Sequence, residues 1–92
     1  MKNVTIITNP TMNSVLMSSK TKKELKLEDV YITTVRFGYR VINIFIEVDE
    51  SIPTNQISIS KGVVSKLKLP INNSYLIKTN NQEIEFGPYI GI

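Results

Sequence analysis

The side chains here that could do chemistry are lysines, arginines and carboxylates, because histidine and cysteine are absent from the chain. Their absence removes His-assisted serine or cysteine nucleophiles and thiolate or imidazole zinc sites. The densest positive cluster is Lys20, Lys22, Lys23 and Lys26, with Lys61, Lys66 and Lys68 at matching places further on. Two basic helices of this kind could straddle phosphates. They serve equally as solvated faces that keep a domain in solution, and Glu24, Glu28 and Asp29 interrupt the first cluster with no aromatic interleaved. Arg36 and Arg40 flank Phe37-Gly38-Tyr39, a turn that could hold an anion or stack a guanidinium on a ring, or simply pack its aromatics. Glu47, Asp49 and Glu50 stand at a strand end without the alternating loop spacing of a calcium site. Glu83 and Glu85 share one face of a strand and mark its wet side, since Ile84 and Phe86 take the other. The four glycines, at 38, 62, 87 and 91, are too scattered for a phosphate-cradling loop. No catalytic, cofactor or metal residue is assigned.

The elements that must position these groups follow from patterning. Ninety-two residues, 41% hydrophobic, make one domain spanning 1–92 with a modest core. No run is long enough to cross a bilayer. Without cysteine the cytoplasm is the expected compartment. A net charge of +3 is ordinary for a globular domain. Asn3–Thr8 is rich in β-branched residues and ends at Asn9-Pro10. Asn13–Met17 is a second strand, after which Ser18 or Ser19 caps a helix through Lys20–Leu25, with Thr21 and Leu25 inward and Lys20, Lys22 and Lys23 toward water. Tyr31–Phe37 and Arg40–Asp49 are long strands, and Val41–Ile46 is apolar on nearly both faces, as a central or barrel strand would be. After the polar Asp49–Asn55 linker, Gln56–Ser60 alternates and Ser60 caps a helix through Leu67. Tyr75–Thr79 and Gln82–Phe86 flank a hairpin turn at Asn80-Asn81.

The chain says much of this twice. Val15, Met17, Ser18, Leu25, Lys26 and Leu27 lie 42 positions before Ile57, Ile59, Ser60, Leu67, Lys68 and Leu69, and two extra residues in the second turn bring Tyr31 and Ile32 onto Tyr75 and Leu76. A lone strand–helix–strand unit cannot cover its own sheet, so two copies (about 3–48 and 56–92) are expected to close into one barrel about a pseudo-twofold axis. The run I-S-I-S-K-x-x-x-x-K-L-x-L at Ile57–Leu69, with its weaker copy at Val15–Leu27, resembles the cradle-loop barrels, which include double-psi barrels and AbrB-type DNA-binding domains. That resemblance implies an α+β, mainly β fold of seven or eight strands with two short helices. The family's usual Gly-Asp pair after the helix is replaced by Glu28-Asp29 and Asn73-Ser74.

The tail, Ile84-Glu85-Phe86-Gly87-Pro88-Tyr89-Ile90-Gly91-Ile92, is similar to the L-G-P-x-I-G-I segment of the YheC/YheD spore-coat-associated proteins. There it joins a small N-terminal β-rich domain to an ATP-grasp domain. The resemblance implies a barrel excised from a longer chain, a non-catalytic accessory domain that packs against the catalytic portion or recruits its substrate or a coat partner. It also implies that ATP and magnesium bind downstream and that the protein is spore-associated. A monomer is expected, with a dimer left open. The alternative implied by the AbrB-like resemblance is a DNA-binding module that uses Lys20, Lys22, Lys23, Lys26, Lys61, Lys66 and Lys68, with Arg36 and Arg40 as further anion contacts.

Overall fold

In a computed structural model, residues 2–70 and 74–87 are described, excepting the side chains of Lys2 and Asn80. They form β1 (Lys2–Asn9), β2 (Ser14–Met17), α1 (Ser19–Glu24), β3 (Ile32–Phe37), β4 (Arg40–Val48), β5 (Gln56–Ser60), α2 (Lys61–Leu67), β6 (Ser74–Asn80) and β7 (Glu83–Phe86). The expected turn residue Asn73 and the terminal strand through Ile92 lie outside the described residues.

The seven strands close into a mixed barrel in the order β1-β5-β2-β4-β3-β7-β6. Closure leaves no unpaired sheet edge, which matters in so small a chain. β1 runs parallel to β5 and antiparallel to β6, whereas β4 runs parallel to β2 and antiparallel to β3. Between them β2 and β5 are antiparallel, with Val15 opposite Ile59. β7 fills the remaining gap, parallel to β3 and antiparallel to β6.

Alternation sends Val4, Ile6, Val15, Met17, Val35, Ile44, Ile46, Ile57, Ile59, Ile77 and Ile84 into the interior, all buried. Branched aliphatic side chains dominate because they fill a narrow barrel while suiting extended backbone. Leu25, Leu27, Val63, Leu67 and Leu69 are buried in the same core. α2 packs against β1, β4 and β5. Tyr75 meets Phe37 and Phe86 edge to face, with centroids 6.0 and 6.1 Å apart, and its hydroxyl donates to the Pro70 carbonyl at 2.6 Å.

The helices end alike. The Leu27 amide donates to the Lys22 carbonyl (2.9 Å) and Lys26 to Lys23 (3.0 Å), while Leu69 donates to Val64 (3.1 Å) and Lys68 to Ser65 (3.2 Å). These are Schellman bonds, and the residue that must turn left-handed is a lysine each time, Lys26 at φ +60° and Lys68 at φ +55°. Their starts differ. Ser18 accepts from the Thr21 amide as expected. Ser60 does not cap α2. Its hydroxyl instead accepts from the Ser14 amide (2.7 Å) and donates to the Ser14 carbonyl (3.0 Å), tying β5 to the start of β2. Asn9, Thr11 and Ser58 join this buried group, with the Asn9 amide donating to Ser58 at 2.8 Å.

Three further expectations need correction. The last hairpin turns at Asn81-Gln82, both at positive φ (+53° and +66°), one residue later than expected, because Asn80 pairs with Glu83. Tyr31 and Ile32 are not placed like Tyr75 and Leu76: Tyr31 is 64% exposed and Tyr75 is buried. Lys22 does not face water. Its side chain is buried with Thr21 on the inner side of α1, because Tyr31 folds back over it.

Candidate functional site

The basic residues named from the sequence separate into three settings. Lys20, Lys22 and Lys23 line a cavity of about 440 Å³ with Ser19, Glu28, Tyr31 and Val48. α1 supplies the lysines, the stretch after it supplies Glu28 and Tyr31, and the end of β4 supplies Val48. Lys22 is only 4% exposed and its Nζ sits 3.9 Å from the centroid of the Tyr31 ring. Backbone bonding fixes the main chain at Tyr31 beside β4: the Ile46 amide donates to the Tyr31 carbonyl at 2.8 Å. Glu50 accepts from the amide (2.8 Å) and hydroxyl (2.6 Å) of Ser19, a lining residue, which fixes the start of α1. Those bonds, the hydroxyl's first, hold the Glu50 carboxyl below its ordinary range.

Lys26 lines a smaller cavity with Glu24, Leu25, Ile77, Lys78 and Thr79, while Lys61, Lys66 and Lys68 are exposed on or just after α2. Arg36 and Arg40 do not converge. The Arg36 guanidinium donates to Glu83 across the barrel wall (3.0 Å), whereas Arg40 lies over its neighbour Tyr39, 4.8 Å from the ring centroid. Phe37 belongs to the Tyr75 cluster, and Gly38, at φ +64°, makes the turn possible.

Glu83, Glu85 and Asp49 have each found local partners. Glu83 also accepts from the Thr34 hydroxyl (2.5 Å), and the hydroxyl and guanidinium together lower its pKa. Glu85 lies 3.4 Å from the Lys78 ammonium. Asp49 accepts from the Ser51 hydroxyl (2.6 Å) and amide (3.0 Å), again with a lowered pKa. Among the described residues no three acidic side chains gather where they could hold a cation.

Patterning alone missed one feature. β4 is apolar on nearly both faces, yet among the described residues nothing covers the apolar part of its outer side: Val41 and Phe45 are exposed, Phe45 at 52%. On β3, the cross-strand partner of Phe45 is Ile32, 67% exposed, and half-buried Leu16 stands two residues after Ser14, which pairs with Phe45 on the other side. The doubly apolar run Val41–Ile46 carried the signal, and a central strand was only one way to explain it. No helix of the described residues is long and apolar enough to cross a membrane. Compared with protein-family models and with curated proteins, the chain matches none.

Proposed function

We propose that this barrel is a non-catalytic interaction domain whose docking face is the outer wall of β3 and β4. The carrying observation is the pairing of Ile32 with Phe45, two large apolar side chains side by side on the outside of a closed sheet. Such residues cost free energy in water and gain it under a partner. With Val41 and Leu16 they make a patch far smaller than the roughly 20–30 residues a side of a stable free complex. A tethered occupant needs no such area, because attachment supplies the effective concentration. The occupant is therefore the next domain of the same chain, which by the resemblance of the tail is the ATP-grasp portion of a cytoplasmic, spore-coat-associated protein. ATP and magnesium would bind there.

Reading the gene beyond the codon for Ile92 tests this first: an ATP-grasp coding region supports it, and a stop codon overturns it. In that parent protein, Phe45→Lys with Ile32→Lys is expected to split one cooperative thermal unfolding transition into two. A single unchanged transition would overturn the docking face.

The barrel itself we propose to be an internal duplication of the double-psi, cradle-loop kind. Support comes from its pairings: exchanging β1 with β4, β2 with β5 and β3 with β6 turns β1–β5 into β4–β2 (both parallel) and β1–β6 into β4–β3 (both antiparallel) and leaves β2–β5 as itself, while β7 stands outside the exchange and closes the gap. Gln56 and Ser14, 42 apart, pair with Thr5 and Phe45 in this scheme. Asn9 and Asp49 then correspond, and each carboxamide or carboxylate oxygen accepts from the amide two residues on, Thr11 and Ser51, at 3.0 Å. The matched Schellman ends at Lys26 and Lys68 point the same way. This division begins the second unit at β4, not after it.

A further inference from the structure

We propose that the cavity between α1 and Tyr31 is a binding site for a phosphate monoester. It goes beyond the docking reading and does not depend on it. Lys22 carries the inference. Its side chain packs almost wholly against protein while its ammonium stays open to the cavity, so an anion entering there meets an unpaired positive charge held in one place. Lys22 is 4% exposed, and among the described residues no carboxylate lies within ion-pair distance of it; its one close electrostatic contact is the Tyr31 ring at 3.9 Å. A ring quadrupole orients the ammonium but does not neutralise its charge. Lys20 and Lys23 line the same cavity and are likewise free of ion pairs among the described residues.

Charge and size select the ligand. Three ammonium groups against Glu28 leave a cavity with two positive charges in excess. A phosphate monoester carries about −1.5 to −2 near neutrality, a closer match than the single charge of a carboxylate. About 440 Å³ is in the range of small-molecule sites, which is more than a bare ion fills. Val48 and the Tyr31 ring offer an apolar wall to the carbon body of the ester. Ser19 adds little, because its amide and hydroxyl are already committed to Glu50.

The test is titration of the ¹⁵N-labelled chain with phenyl phosphate, inorganic phosphate and benzoate, followed at Lys22, Tyr31 and Val48. Saturable shifts there with phenyl phosphate, at least tenfold tighter than with benzoate, are expected. Inorganic phosphate should bind more weakly at the same resonances. Lys22→Met should weaken phenyl phosphate about tenfold or more, and the exposed pair Lys20→Gln with Lys23→Gln should do so even if Lys22→Met does not fold. Lys66→Met, on the other helix, should change nothing. No saturable shift at millimolar phenyl phosphate overturns the site, and so do equal affinities for phenyl phosphate and benzoate. Binding of duplex DNA at these lysines that tightens with duplex length and collapses with salt would also overturn it, in favour of a nucleic-acid surface.

Discussion

At the scale of single residues, this chain places side chains where their types are unfavourable and compensates locally. Lys26 and Lys68 take a left-handed conformation that costs an L-residue about 1–2 kcal/mol. Glycine there should be better tolerated in the fold, though its looser unfolded chain takes back part of the gain. Lys68→Gly is expected to raise stability by about 0.5–1 kcal/mol, and Lys26→Gly by a similar amount, read as higher urea midpoints at unchanged slope. Gln82, at φ +66° in the last hairpin, should respond to glycine in the same direction. Glu83 gives a pH signature. Its folded pKa lies below the ordinary value of 4.5, so its contribution is present above that pH and is lost as pH falls through the folded pKa. Glu83→Gln should flatten the acid limb of the stability curve below about pH 4.5, and an unaltered limb would show the Thr34 and Arg36 bonds to be idle. None of these placements was legible beforehand. A lysine at a helix end announces no left-handed turn, and the partner of Glu83 is set by the β3–β7 pairing, 47 residues away in sequence.

At the scale of elements, strands and helices were legible wherever hydrophobic period and breaker agreed. Asn9-Pro10 ended β1, and the alternation of Gln56–Ser60 marked β5. Leu25 and Leu67 were expected to seal the barrel, and both are buried. Leu67→Ala and Leu25→Ala should each cost roughly 2–5 kcal/mol by chemical denaturation, with similar values if the two helices do equivalent work. A silent Leu25→Ala would contradict that equivalence. Reasoning failed where a tertiary contact outranked a local rule. Ser60 stands where an N-cap belongs but serves the crossing of β5 over Ser14. Lys22 stands on a face read as solvated, but Tyr31, nine residues later, closes over it.

At the scale of the whole molecule, a closed, mainly β barrel with two short helices was legible because short strand–helix–strand runs cannot cover their own sheet, and closure covers it without an exposed edge. Which strands neighbour which was not legible, since β1 and β4 share no obvious motif beyond being apolar. The same blindness hid the outer face: a sequence shows that Val41–Ile46 is apolar on nearly both sides but not that Val41 and Phe45 stand uncovered by the other described residues. The docking role we propose requires that outer wall to be covered in the working protein. Amide hydrogen exchange along β3 and β4 tests it most directly, in this 92-residue chain and in the longer, ATP-grasp-bearing parent protein that we propose. Slower exchange from Ile32 to Phe45 in the parent, with β1 and β5 unchanged, is the predicted result. Identical exchange along β3 and β4 in both would contradict it.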